Sequence, residues 1–450
     1  MKLALINPKG IILEAYNKVL PLTDTAPKSG NYDFLKAFFG IWSGISLGLL
    51  IVAGLTPDLF EIDLIDENFE EINFDKQYDL IAITSITQQI KRAYEIADEF
   101  RKRGITVVLG GIHATLMPQE AKRHSDSVII GESEEIWPVF IKDFLNKDIQ
   151  PFYRNKTIID LNNSPIPRYD LLNEKYYKII WVQATRGCPK DCYFCSASKI
   201  FGTKYRHKKI DRIIEEINYI KKLFNKKIAF ADDNLFIQKD LSLQLVKELI
   251  PLKINWFAQT DISIAENEKL LSLLHESGCK ILFIGFESIN KKNLKGLDKT
   301  DWKLTQLKKY KDYIKKIQSY GIGIMGSFIF GLENDDISVF KKTSDFIIEN
   351  NLFASQFTIL TPLPGTGLRK KLEKENRLIS NDWSKYTFLD VNFKPLKMTT
   401  EELYKGTFDC YQRVYSKKAR LKIAWHFKNI YKEVKRNKLE GIKSNITKMY

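Results

Sequence analysis

Short apolar runs alternate with amphipathic stretches along the first 140 residues. Lys2–Asn7 is apolar and ends in Asn7-Pro8. Further strand candidates lie at 59–65, 79–84, 105–110 and 127–130. Between two of them Ala93, Ile96, Ala97 and Phe100 recur at helical spacing, and Gly104 supplies a stop. Strand, helix, strand, repeated, predicts an open, doubly wound parallel sheet with helices on both faces. Ligands of such sheets sit beyond the carboxyl ends of the strands. Those ends carry Asn7, Thr84, Ser85, Gly110, Gly111, Gly131 and Glu132.

The pattern fades between 145 and 175, where Asn162-Asn163-Ser164-Pro165-Ile166-Pro167 is turn and linker chemistry. It restarts with a longer period, with strand candidates at 178–184, 227–231, 254–259, 280–286, 323–330 and 354–360. Six βα repeats suit a partial (βα)6 barrel of the TIM type rather than a closed eight-fold one. Polar or special residues gather at the carboxyl ends of these strands too: Cys188, Asp232, Asp233, Asn234, Gln259, Asp261, Glu287, Ser288 and Gly331. Thr399 and Glu402 match a capping box that opens a helical tail. The expected organisation is therefore α/β: a Rossmann-like domain at 1–145, a linker at 146–175, the partial barrel at 176–395 and a short basic helical segment at 396–450.

Composition narrows the class. The 450 residues are 44% hydrophobic and 28% charged, which excludes a disordered or fibrous chain. Formal net charge is +15, and residues 401–450 hold 13 Lys and Arg against 5 Asp and Glu, a net of +8. Such a tail suits acidic substrates, nucleic acid or an anionic membrane, but a solvated basic helix in a Lys-rich chain accounts for it, and no nucleic acid is expected. Residues 37–55 carry no charge and are long enough to span a bilayer. Their spaced glycines and the strand-like run that follows favour a buried or surface-seeking helix over a span. No secretory signal opens the chain. A cytoplasmic protein is expected, with peripheral membrane contact left open.

Five cysteines, three of them within eight residues, form no disulfide framework. Cys188, Cys192 and Cys195 have the spacing C-x3-C-x2-C just after the first strand of the second domain. Thiolates so close can converge on one metal centre, either an iron–sulfur cluster or zinc. Zinc would need a fourth ligand, with His207, Cys279 or Cys410 as candidates; the two cysteines otherwise read as packing residues.

The segment Thr185-Arg186-Gly187-Cys188-Pro189-Lys190-Asp191-Cys192-Tyr193-Phe194-Cys195 resembles the radical S-adenosylmethionine (SAM) superfamily. The resemblance implies a [4Fe–4S] cluster on Cys188, Cys192 and Cys195, with SAM on the fourth iron and cleaved to a 5′-deoxyadenosyl radical. It also implies a SAM pocket touching Phe194, Asp232, Asp233, Asn234, Gln259, Glu287, Ser288 and Gly331. Read without the family, Asp232 to Asn234 are a helix N-cap cluster and Glu287 an ordinary strand end.

The first domain resembles the cobalamin-binding domain that precedes some radical SAM domains, on the strength of Asn7-Pro8, 79–85, Gly110-Gly111-Ile112-His113-Ala114-Thr115 and Gly131-Glu132-Ser133-Glu134-Glu135. The architecture is similar to the anaerobic magnesium-protoporphyrin ester cyclases and the hopanoid methylases. The implied cobalamin contacts are Asn7, Pro8, Thr84, Ser85, Gly110, Gly111, His113, Gly131 and Glu132. None of the five histidines has Asp two residues before it, so D-x-H-x-x-G is absent and His113 is not assigned as a cobalt ligand. The domain either holds cobalamin without a histidine ligand or is a retained scaffold. Residues 1–187 contain no cysteine, which sets the chain apart from methylthiotransferases and their second cluster.

The function implied is a radical SAM enzyme, with methyl transfer from cobalamin to an unactivated carbon as the leading reaction. A non-methylating cyclase or carbon–carbon coupling enzyme, and a cobalamin or redox sensor without turnover, remain as alternatives. The expected partners are a small-molecule or lipid substrate, tetrapyrroles included, and an electron donor such as flavodoxin or ferredoxin. No residue stands out as a general acid or base.

Overall fold

Leu3, Ala4, Leu5 and Ile6 are wholly buried, as expected of a central strand covered on both faces. They belong to β1 (Lys2–Asn7), which lies between β2 (Glu61–Asp66) and β3 (Leu80–Thr84). The computed structural model describes residues 1–10 and 45–447, with side chains as far as Arg436. The chain divides into two units, Met1–Lys226 with Thr361–Lys394, and Lys227–Leu360 with Pro395–Tyr450.

In the first unit β4 (Thr106–Gly110), β5 (Ser127–Ile130) and β6 (Phe152–Arg154) complete a parallel sheet of order β2-β1-β3-β4-β5-β6. The order reverses between β1 and β3, which makes their carboxyl ends the switch point of a doubly wound sheet. The helix Ile90–Lys102 buries Ile90, Ala93, Tyr94, Ile96, Ala97 and Phe100, the face its spacing predicts. β6 lies where the sequence pattern fades, because three residues are too few to show a period.

The helix Leu47–Leu55 buries Leu49 through Ala53. Among the described residues no helix is long and apolar enough to cross a membrane. Residues 37–44 of the uncharged stretch lie outside the described residues. Past the turn-rich segment come β7 (Ile179–Val182), β8 (Thr185–Arg186) and β9 (Arg206–His207). β8 and β9 pair antiparallel, Thr185 with His207 and Arg186 with Arg206. The intervening residues 187–205 form a loop that holds all three clustered cysteines.

The second unit is a parallel sheet of β10 (Lys227–Phe230), β11 (Trp256–Thr260), β12 (Cys279–Glu287), β13 (Gly323–Phe330) and β14 (Ala354–Ile359), neighbours in that order. A helix separates each successive pair: Lys239–Leu249, Glu268–Glu276, Tyr310–Ser319 and Ser338–Glu349. With β7, these are the six strands the repeats predict. Aromatic rings fill the core, with Phe286 stacked on Phe328 at 5.4 Å and Phe330 on Phe357 at 5.6 Å. The helix Thr400–Val414 opens on the predicted capping box of Thr399 and Glu402. Its Tyr411 hydroxyl donates to the Phe357 carbonyl at 2.8 Å, which ties the helix to β14.

Candidate functional site

The cysteine loop is tightly folded on itself. Gly187 has φ +90°, and a Cβ there would run into the Lys204 carbonyl. The Cys188 amide donates to the Gly202 carbonyl at 3.3 Å, so both ends of the loop are joined. The Cys195 amide donates to the Cys192 carbonyl at 3.0 Å. Asp191 accepts from Ser198 Oγ at 2.5 Å and Lys199 Nζ at 2.8 Å, which ties the loop to the helix Ala197–Phe201. The half-buried Phe194 ring meets Tyr193 edge-on at 6.0 Å.

None of the five cysteines is in a disulfide. Among the described residues no three His, Cys, Asp or Glu side chains stand grouped to hold a metal ion. What the loop carries is three cysteines within eight residues of chain, a donor set whose chemistry suits an iron–sulfur cluster. The fourth ligand that zinc would need is poorly served. His207 Nδ1 lies 3.0 Å from the Lys208 carbonyl. Cys279 is buried, which pushes its thiol up, and its Sγ–H donates to Ile281. Burial likewise pushes the Cys410 thiol up to about 12, and that Sγ–H donates to the Phe340 carbonyl.

The strands at the base of the loop are held by buried charge. Arg206 Nη1 donates to Glu132 Oε2 at 2.7 Å and Nη2 to Glu132 Oε1 at 2.9 Å. Arg186 Nη1 donates to Glu132 Oε1 at 3.1 Å and Nη2 to Glu134 Oε1 at 2.7 Å. All four side chains are less than a tenth exposed. Burial alone would raise the Glu134 carboxyl, but Arg186 beside it holds it below the usual range. Burial would likewise lower Arg186, and the two carboxylates raise it instead. Glu132, singled out from sequence for its strand end, is thus bound into this cluster. Arg186, Arg206 and Glu134 were missed as a set. The signal available was two glutamates at i and i+2 past β5 and an arginine two residues before the first cysteine.

At the switch point, several of the expected contacts have partners of their own. Asn7 Nδ2 donates to Asp66 Oδ1 at 2.9 Å, and the Pro8 carbonyl accepts from Gln89 Nε2 at 2.7 Å. The Gly131 amide donates to Thr115 Oγ1 at 3.0 Å. Gly110 ends β4, and Gly111 follows with φ +89°. A Cβ on Gly111 would lie 2.8 Å from the Ser85 nitrogen and closer still to Thr84 Oγ1. His113 is wholly buried, with Nε2 3.3 Å from Glu120 Oε1 and its ring edge-on to Trp383 at 5.1 Å. Three buried atoms beside these strand ends have no partner: Ser85 Oγ, Gln88 Oε1 and His113 Nδ1. Orphaned polar atoms at a switch point fit a polar ligand such as cobalamin there.

In the second unit Asp232, Asn234 and Ser288 are buried, while Asp233 is accessible to solvent. Protein crowded about Asp233 nevertheless pushes its carboxyl up to about 6. Asn234 Nδ2 donates to Asp261 Oδ2 at 2.8 Å, and the Gln259 carbonyl accepts the Leu235 amide at 3.0 Å. These bonds join the ends of β10 and β11. Ser288 Oγ accepts the Asn290 amide at 3.0 Å. Glu287 has φ +61° and pairs with Lys303 at 2.9 Å. The Gly331 and Leu332 amides both donate to Asp335 Oδ2, at 3.1 and 3.0 Å. Lys303, on the helix Trp302–Gln306, and Asp335 had no signal in the sequence beyond their charge.

Three family models match the chain: the radical SAM superfamily over residues 182–347, the B12-binding domain over 43–141, and a domain of unknown function, DUF4070, over 366–449. The chain is 31% identical to the bacteriochlorophyllide d C-12(1)-methyltransferase of Chlorobaculum tepidum, covering 84% of each. It is 33% identical to the bacteriochlorophyllide d C-8(2)-methyltransferase of the same organism, covering 77% of this chain and 80% of that one. The solved radical S-adenosylmethionine methyltransferase TsrM from Kitasatospora setae superposes with a TM-score of 0.66 at 14% identity, over 91% of this chain and 88% of that one. At that identity the likeness is one of fold.

Proposed function

This chain belongs to the radical SAM superfamily, in the branch with an N-terminal B12-binding domain, and from that premise we propose that it methylates an unactivated carbon of a tetrapyrrole or lipid-like substrate. It is an enzyme whose cofactors are SAM, a [4Fe–4S] cluster and cobalamin. One observation carries the methyl-transfer reading: the cysteine loop and the B12-type sheet share one structural unit, the strands at the loop's base bonded to the end of β5. A tetrapyrrole substrate is favoured by the two bacteriochlorophyllide methyltransferases among the relatives.

Cys188, Cys192 and Cys195 would hold the cluster, which with SAM supplies a carbon-centred radical, while cobalamin supplies the methyl group. The protein's own share is binding and orientation. Asp233, an acceptor open to solvent among buried neighbours, would take the ammonium of SAM. Asn234 is held by Asp261 and Glu287 by Lys303, so both would meet SAM with fixed orientation. The Gly331 amide is taken by Asp335, which leaves Gly331 its carbonyl to offer a ligand. Ser85 Oγ, Gln88 Oε1 and His113 Nδ1 would be left to meet cobalamin. A flavodoxin or ferredoxin is the fitting electron donor. The exposed basic face of the last helix, Lys417–Thr447, would rest against an anionic membrane.

The test uses anaerobically reconstituted protein with SAM, a strong reductant and methylcobalamin. 5′-Deoxyadenosine and S-adenosylhomocysteine are followed together by mass spectrometry, with a Cys188→Ala, Cys192→Ala, Cys195→Ala control. Both products, absent from the control, are expected. Deoxyadenosine alone would replace methyl transfer with a non-methylating radical reaction.

A further inference from the structure

The loop 187–205 leaves and rejoins the fold through β8 and β9, two residues each. A ladder so short cannot fix a loop of this length by itself. The Leu368 amide donates to the Tyr193 carbonyl at 3.0 Å within the loop, and the base of the loop is held by Glu132 and Glu134, just past β5 of the first sheet. The two guanidiniums and two carboxylates balance in charge, and every guanidinium–carboxylate contact named above is 3.1 Å or less. Arg206 also donates to the Ile159 carbonyl at 3.1 Å and, across the loop, to the Phe201 carbonyl at 3.0 Å. Buried ion clusters add little stability over apolar packing, because each charge gives up its water. They do impose one geometry, since a guanidinium fork meets a carboxylate at a fixed distance and angle.

We propose that Glu132 and Glu134 are positioning residues which, through Arg186 and Arg206, fix the cysteine loop on the carboxyl edge of the B12-type sheet and so set the distance between the two cofactors. Reaction between groups on two cofactors depends steeply on such placement. The inference rests on the cofactor reading above only for the identity of the two groups.

Full-length Glu132→Gln and Arg206→Lys are compared with wild type by two readouts. The first is amide hydrogen exchange without added cofactor. Exchange over 187–205 is expected to rise by about tenfold or more, with β3 unchanged. The second is magnetic coupling between the reduced cluster and Co(II) cobalamin in reconstituted protein of equal iron content, expected to weaken or broaden. Arg206→Lys keeps the charge and serves if Glu132→Gln does not fold. Unchanged loop exchange, an equal rise in β3, or looser exchange with unaltered coupling would each overturn the proposal. Failure of wild type to take up cobalamin would defeat the cofactor reading instead, while the exchange measurement still decides whether these residues hold the loop.

Discussion

Lys303 Nζ lies 2.9 Å from Glu287 Oε1 and donates to the Gly285 carbonyl at 2.7 Å, with both side chains 12% exposed. The pairing sits where the backbone needs support. Glu287 has φ +61°, a conformation that costs a non-glycine residue about 1 kcal/mol or more. Lys303→Met leaves the carboxylate buried without this cation, a loss of about 3 kcal/mol in stability. SAM affinity is expected to fall by about tenfold at unchanged iron content, as the strand end shifts. Glu287→Gly leaves the Lys303 ammonium without this carboxylate but relieves the backbone strain, so it should lose SAM affinity with a somewhat smaller loss of stability. Thermal unfolding with calorimetric SAM titration separates the two, and equal effects of both variants would count against a SAM-facing Glu287.

Asp335 gives the fold a pH dependence of definite sign. Burial raises its carboxyl from 3.8 to about 7, against the opposing pull of the Leu332, Asn293 and Gly331 donors. A raised folded value means that the native state binds the proton more tightly than the unfolded chain. This contribution to stability is full below about pH 4, declines as pH rises toward 7, and is absent above it. Asp335→Asn cannot ionise and should flatten that slope. Denaturant titrations of both proteins at about pH 5 and about pH 8 should differ in their pH effect by a few kcal/mol. Parallel pH profiles would show that Asp335 is ionised throughout.

What the sequence disclosed follows from how far each signal is local. The strands are continuous apolar runs or alternations, and Leu3 to Ile6 or 323–330 announce themselves without reference to the rest of the fold. The cysteines are legible because one metal centre requires ligands close along the chain. β6 was too short to show a period. The cluster of Glu132, Glu134, Arg186 and Arg206 joins residues up to 74 positions apart, and no local pattern marks a carboxylate as paired rather than solvated. Asn7 and Glu132 illustrate the converse. Their place at strand ends was legible, but the bonds that occupy them belong to tertiary structure.

Gly187 should tolerate no side chain. Its φ of +90° is unfavourable for any residue with a Cβ, and the Lys204 carbonyl already fills that position. Gly187→Ala must therefore open the base of the loop, and the iron retained per chain after anaerobic reconstitution should fall by about half or more. Gly104→Ala is the control. Gly104 has φ +77° but nothing within 4 Å of its Cβ position, so the exchange costs only about 1 kcal/mol and no iron. Full iron retention in Gly187→Ala would mean that the loop can hold its cluster in another shape.

The last helix offers a test of membrane contact that leaves the chemistry untouched. Leu421 and Trp425 sit one turn apart, 61% and 69% exposed. Around them, residues 417–436 carry eight Lys and Arg against Glu433 alone. An isolated exposed Trp says little, but Trp and Leu on a strongly basic helix form the surface that anionic bilayers hold, with each basic residue adding about 1 kcal/mol near the headgroups. The protein should float with vesicles rich in phosphatidylglycerol at low salt, remain unbound with phosphatidylcholine alone, and be released as ionic strength rises. Trp425→Ser should weaken the anionic binding by about tenfold, because the indole supplies most of the buried apolar area. The variant should keep wild-type SAM affinity, since Trp425 faces solvent. No flotation at low salt would remove the membrane from the proposed function, leaving the basic helix as a solvated face.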